Sequence, residues 1–155
     1  MPLLKILLSF SLLASAFAES FQPKFYAFQN GVNFKNPAAT LKELGFDGIS
    51  QVRAHPTGLP NQVQSFEAAG LKVLSIYLNV NDKPIEPATV QALANRDALI
   101  ELTIQKMNPN TVEAVRQTTA MAEKLKIKVA LYPHHGFAVA TMPQALDLIK
   151  KVNHP

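Results

Sequence analysis

The chain contains no cysteine. That absence removes disulfides, thiolate nucleophiles, cysteine-based metal sites and lipid attachment through cysteine together, so any metal would have to be held by His and carboxylates. Clustered positive charge is missing too. The net charge is +4, yet the lysines and arginines are scattered, with no basic block interleaved with aromatics. The electrostatic footprint of nucleic-acid binding is therefore lacking, and no nucleic-acid partner is expected. Nor does any apolar run reach the roughly 20 residues that cross a bilayer, so no membrane span is expected.

What is present is the balance of a globular domain, with 155 residues, 48% hydrophobic and 17% charged. The first 18 residues stand apart. Lys5 supplies a positive start, Ile6 to Leu13 an apolar stretch, and Ala16-Phe17-Ala18 a small-x-small cleavage site. This reads as a signal peptide over 1–18, cleaved before Glu19, which leaves a single domain over 19–155 in a secreted or periplasmic, soluble protein.

From Phe25 onward one unit recurs: an apolar strand, a polar turn and an amphipathic helix. Strands are expected at Phe25–Phe28, Gly48–Val52, Leu71–Leu78 and Ala98–Ile104, and a fifth in the stretch Lys126–Phe137. The first helix starts at Pro37 behind an Asn36 cap, buries Leu41 and Leu44, and stops at Gly45. The second runs from about Pro60 to Ala69, burying Val63 and Phe66 and ending at Gly70. A third lies near Pro87 to Asn95. The fourth is capped by the Asn110/Glu113 pair, with Val112, Val115, Thr119 and Ala122 inward. The fifth follows the pair Thr141 and Gln144, with Leu146, Ile149 and Val152 inward.

Strand starts near Asp47, Lys72, Ala98 and Ile127 lie 25, 26 and 29 residues apart. Such regular βα units imply a parallel sheet with right-handed crossovers, either a doubly wound open sheet or part of a (β/α)₈ barrel. A whole barrel takes about 250 residues. The α/β fold expected is therefore a (β/α)8 TIM barrel truncated after about five βα units, its C-terminal strands missing. Its last strand would expose a bare edge, a route to a homo-oligomer.

Two passages carry a resemblance. Leu41-Lys-Glu-Leu-Gly-Phe-Asp-Gly-Ile49 and Val129-Ala-Leu-Tyr-Pro-His-His-Gly136 resemble the helix-to-second-strand and fifth-strand passages of the sugar phosphate isomerase/epimerase family, the xylose isomerase-like TIM barrels. The resemblance implies a divalent metal (Mn, Mg or Zn) in the barrel mouth that polarises a sugar or polyol while an acid/base residue moves a proton. The chain departs from the family where related epimerases end the fifth strand in a metal-binding Glu, the matching place here being Tyr132, and where Ser50 follows Gly48-Ile49 in place of a Gly-x-Glu ending.

Strand alternation nominates the residues facing the mouth. With Ile127, Val129 and Leu131 outward, Ala130, Tyr132 and His134 point in and His135 points to the rim. Glu101, Thr103 and Gln105 point in on the preceding strand, and Ser75, Tyr77 and Asn79 on the one before, with Leu74, Ile76 and Leu78 outward. His134 is the candidate metal ligand or proton carrier, since imidazole titrates near neutrality. Tyr132 could orient a hydroxyl. Glu101 is either a catalytic carboxylate or the partner of Lys128 in a structural ion pair. His55, in the loop after the second strand, and the amides of Asn30, Asn79 and Gln105 could contact substrate, or the amides could cap loop backbone. The expectation is an isomerase-, epimerase- or dehydratase-like enzyme, inactive as a fragment. The alternatives are a non-catalytic carbohydrate-binding or scaffold barrel and a doubly wound domain without catalysis.

Overall fold

A computed structural model describes residues 22–53 and 58–154. The signal peptide at 1–18 and the mouth candidate His55 lie outside the described residues.

Strand β1 (Tyr26–Phe28) leads through a 3-10 turn at Gln29–Gly31 to helix α1 (Pro37–Glu43), strand β2 (Gly48–Ser50), strand β3 (Val52–Arg53) and helix α2 (Leu59–Ala68). Strands β4 (Lys72–Val73) and β5 (Ser75–Asn79) follow, then a short helix α3 (Pro87–Val90), strand β6 (Leu99–Thr103), helix α4 (Thr111–Lys124), strand β7 (Lys128–Leu131) and helix α5 (Met142–Val152). All pairings are parallel, in the orders β1-β2-β4 and β3-β5-β6-β7. The pairs β2/β3 and β4/β5 each read as one stave interrupted once, at Gln51 and at Leu74. The staves then run in chain order with no reversal. A doubly wound sheet reverses order at its switch point, so the architecture is that of a TIM barrel, present over five successive staves.

The interruptions set the geometry of the mouth. Ile49 and Val52 are both fully buried in the core, and so are Val73 and Ile76, three residues apart in each case. Under strict alternation residues three apart would face opposite sides, so each stave gains one residue and its alternation slips by one. Gln51 absorbs the extra residue in a left-handed conformation, φ 55°, which a non-glycine residue adopts only when its surroundings hold it there. The Ser75 hydroxyl does so by accepting the Gln51 backbone N–H at 2.8 Å. Leu74, expected on the helix side with Ile76 and Leu78, instead sits at the slip, half-buried, and Val73 takes the helix-facing place.

The opposite, N-terminal end of the barrel is closed by two devices. Gly48 pairs with Lys72, and a Cβ there would fall 1.9 Å from the Lys72 carbonyl oxygen, so only glycine permits β2 and β4 to approach. Asp97 bridges two staves, accepting from Lys72 Nζ at 3.1 Å and Lys128 Nζ at 2.7 Å. The expected Glu101–Lys128 pair is thus not formed. Lys128 is level with Leu99 and Glu101 with Ala130, so the lysine starts two residues below Glu101 and its ammonium reaches Asp97 in the turn before β6 instead.

The helices form where expected, but three inner faces differ. Leu44 caps α1 and is 61% exposed, leaving Leu41 to bury the helix. In α4 the buried set is Thr111, Ala114, Val115, Thr118 and Ala122, a stripe rotated from the one expected. Two threonines pull it round. Thr111 Oγ1 donates to the Asn81 carbonyl, and Thr118 Oγ1 accepts the Ile85 N–H at 3.0 Å. The Asn110 and Asn36 side chains make no cap hydrogen bond. In α5 the Thr141/Gln144 capping box forms as expected, yet Ala145, Leu148 and Val152 are buried while Leu146 and Ile149 are each 51% exposed. No helix among the described residues is long and apolar enough to cross a membrane.

Candidate functional site

At the C-terminal ends of the strands a cavity of about 320 Å³ is lined by Phe28, Asn30, Gln51, Arg53, Tyr77, Tyr132 and His134. Each comes from a strand end or the turn directly after it, which is where a parallel barrel aims side chains away from its packed interior. Four of the residues that sequence places facing the mouth meet here: Asn30, Tyr77, Tyr132 and His134.

The floor is a hydrogen-bonded triangle. Glu101 accepts from the Ser75 hydroxyl at 2.6 Å with one carboxylate oxygen and from the Gln51 side-chain amide with the other, while Ser75 in turn accepts the Gln51 backbone N–H. Both Glu101 oxygens are therefore engaged by neutral donors. Glu101 supports Gln51 from beneath and does not line the cavity.

One wall is aromatic. The rings of Tyr77 and Tyr132 meet edge to face at 5.7 Å, and His134 stacks on Phe137 at 4.5 Å and 26°. His134 Nδ1 lies 2.8 Å from the His135 carbonyl oxygen. A carbonyl only accepts, so Nδ1 carries the hydrogen and Nε2 of the neutral ring presents a lone pair. Ring stacking and this hydrogen bond fix the plane of the imidazole. The His135 side chain is exposed on the rim, as expected.

The other wall is polar. Arg53 shares register with Tyr77 and so faces the same side, and its guanidinium donates to Asn30 Oδ1 at 2.9 Å. Without the slip at Gln51, alternation from Ile49 would send Arg53 outward. Sequence reasoning missed Arg53 and Gln51 for that reason, and nothing in the residue pattern marks where a bulge falls. Phe28, a β1 residue 47% exposed at the mouth, was likewise passed over.

Asn79 and Gln105 do not line the cavity. Asn79 Oδ1 accepts the Gln105 backbone N–H at 3.0 Å, and the exposed Gln105 returns through its carbonyl to the Ala138 N–H at 3.2 Å. These residues cap loop backbone. His55 lies outside the described residues.

Among the described residues no three His, Asp or Glu side chains come together to hold a metal ion. The mouth offers the Nε2 lone pair of His134 and no carboxylate oxygen, since the Glu101 pair is already occupied. These residues do not by themselves fit the divalent metal that the resemblance implies.

No family model matches the chain and no curated protein matches it. Solved structures do. The probable 3-DHS dehydratase AsbF from Bacillus anthracis, involved in petrobactin synthesis, superposes with a TM-score of 0.66 and 17% identity over 86% of this chain and 60% of its own. A xylose isomerase-like TIM barrel/4-hydroxyphenylpyruvate dioxygenase fusion protein superposes with a TM-score of 0.62 and 12% identity over 86% of this chain and 26% of its own. At these identities the likeness is one of fold, that of the xylose isomerase-like TIM barrel, and the chain spans under two thirds of either structure.

Proposed function

We propose that this chain supplies the ligand-holding mouth of a sugar- or polyol-converting barrel of isomerase, epimerase or dehydratase type, with His134 as its proton carrier. The observation that carries the reading is the convergence of Asn30, Gln51, Arg53, Tyr77, Tyr132 and His134 on one cavity. Amide, guanidinium and phenol groups can exchange hydrogen bonds with several hydroxyls, and the aromatic wall offers a face to the C–H side of a small ring. At about 320 Å³ the space suits one monosaccharide-sized molecule, being at the small end of ligand pockets.

Reactions of this type move a proton between carbon or oxygen atoms of the substrate. In this reading the Nε2 lone pair of His134 takes the proton and the resulting imidazolium returns it, held in plane by Phe137 and the His135 carbonyl. Tyr77 and Tyr132 orient hydroxyls, and Glu101 acts by fixing Gln51. A divalent metal would find one ligand in His134 and need the others from beyond the described residues. Export through the 1–18 signal belongs to the same proposal.

The test is proton exchange. A version of the protein carrying the complete barrel is incubated in deuterated water with a panel of aldoses, ketoses and inositols, with and without Mn²⁺, Mg²⁺ or Zn²⁺. The reading expects deuterium at one sugar carbon and its loss in His134→Gln. No incorporation under any condition would overturn the enzymatic reading.

A second reading has its own support. Tyr132 ends the strand where related epimerases place a metal-binding Glu, and no metal-ligating trio exists among the described residues. A carbohydrate-binding barrel without catalysis would bind its sugar equally well with and without chelator and exchange no deuterium.

A further inference from the structure

Among the described residues lining the mouth cavity, Arg53 carries the only lysine or arginine charge. A second cavity, of about 430 Å³, lies on its other side, walled by Gln29, Asn30, Val32, Asn33 and Gln62. Among the described residues, neither cavity is lined by an aspartate or glutamate. Glu101, beneath Gln51, has each oxygen taken by Ser75 or Gln51. Among the described residues, the side chain that Arg53 meets is Asn30, whose carbonyl oxygen accepts from it at 2.9 Å. A neutral acceptor aims the guanidinium without cancelling its charge.

Arg53 is exposed at the lip of the mouth, where water solvates part of its charge, and a neutral side chain sets its direction. A cation held for structure is ordinarily matched with a carboxylate, as Arg96 is with Glu67 at 2.6 Å and Arg116 with Glu113 elsewhere in this chain. A guanidinium oriented by an amide at the lip of a ligand-sized cavity has donors to spare, arranged in a planar fork that matches a carboxylate two bonds at a time. The local slip at Gln51 is what turns Arg53 inward, and that strained residue is held by the Ser75–Glu101 pair. The floor of the barrel thus serves to present this one charge.

We propose that the mouth selects a monosaccharide-sized polyol bearing a carboxylate, and that Arg53 is the residue that selects it. The inference rests on the sugar or polyol reading and sharpens it from neutral to acidic ligands. One guanidinium matches the single charge of a carboxylate. The hydroxyl-bearing remainder of the ligand lies against Tyr77 and Tyr132, within reach of Gln51 and His134.

Binding to the full chain by calorimetry distinguishes the levels of this claim, with D-glucuronate, D-galacturonate and D-gluconate compared with D-glucose, D-galactose and D-glucose 6-phosphate at low and high salt. Wild-type protein is expected to prefer at least one acid over its neutral counterpart by about tenfold, the size of one charge-assisted pair, and the preference should shrink with salt. In Arg53→Gln the acid-to-neutral ratio should fall to near one, and in Arg53→Lys to an intermediate value because the fork is lost but the charge is kept. The ratio does not depend on the folded fraction of a variant. A neutral sugar bound as tightly as its acid, a ratio unchanged in Arg53→Gln, or a clear preference for the phosphate would overturn the carboxylate inference while leaving the sugar reading in place. Binding of none of the six ligands would remove the sugar reading and this inference with it.

Discussion

Glu101 shows how far a single residue's role depends on its level in the strand. Its inward parity was readable from the alternation of Ile100 and Leu102, and so was the need for a partner. The partner was not readable, because Lys128 shares its parity and only the stagger of β6 against β7 puts the lysine beside Asp97. Glu101 instead holds Ser75 and Gln51. Ser75 is fully buried, so Ser75→Ala removes a donor from Glu101 and the acceptor for the Gln51 amide in a place water does not reach. A loss of about 1–3 kcal/mol in urea-unfolding free energy is expected, together with a changed environment at Arg53, whose direction depends on the same slip. An unfolding midpoint equal to wild type would show the triangle to be idle. Tyr132, by contrast, directly follows the uninterrupted strand β7, where period-two counting holds to its end, while His134 reaches the mouth from the loop beyond it.

At the scale of elements, strands were placed well and helix faces less so. A parallel strand covered by helices is apolar throughout, and Ile76, Leu78, Ile100 and Leu102 leave little choice. Helix α5 carries apolar residues on adjoining stripes, and the pattern alone does not tell which stripe packs. The packing partner decides, and α5 sits on α4 through Ala145, Leu148 and Val152. Leu148→Ala should therefore cost about 2–5 kcal/mol, as for other buried leucines, while Leu146→Ala on the exposed stripe should change stability by no more than about 0.5 kcal/mol. Equal losses measured by chemical denaturation would contradict the assigned face. The turn before β6 offers a pH test. Asp97 is held from 3.8 down to about 2, chiefly by its hydrogen bond to Lys128 and then by that to Lys72. A carboxyl with a depressed folded pKa contributes its stability above the unfolded value and loses it as pH falls through the folded one, here between about 4 and about 2. Wild-type protein should lose more stability across that window than Asp97→Asn, and high salt should narrow the gap because the three side chains reach solvent. Parallel pH profiles for the two proteins would refute the clamp.

Over the whole molecule, the choice between a doubly wound sheet and a barrel could not be made from βα periodicity, since both have it. Strand order makes it: five staves in sequence order, with the inner face exposed at Ala130 on β7. That strand has β6 on one side and, among the described residues, no strand on the other. Beside it lies an apolar groove walled by Val129, Leu131, Met142 and Ile149. The mouth lies beyond the C-terminal end of β7, at Tyr132 and His134, and this groove lies along β7 itself, which lets one measurement separate them. Isotope-labelled protein is titrated with the sugar and sugar-acid panel, and backbone amide, arginine side-chain and histidine resonances are followed. The account predicts saturable shifts centred on Gln51, Arg53, Tyr77, Tyr132 and His134. Shifts confined to Val129, Ala145 and Ile149, with the mouth silent, would contradict it.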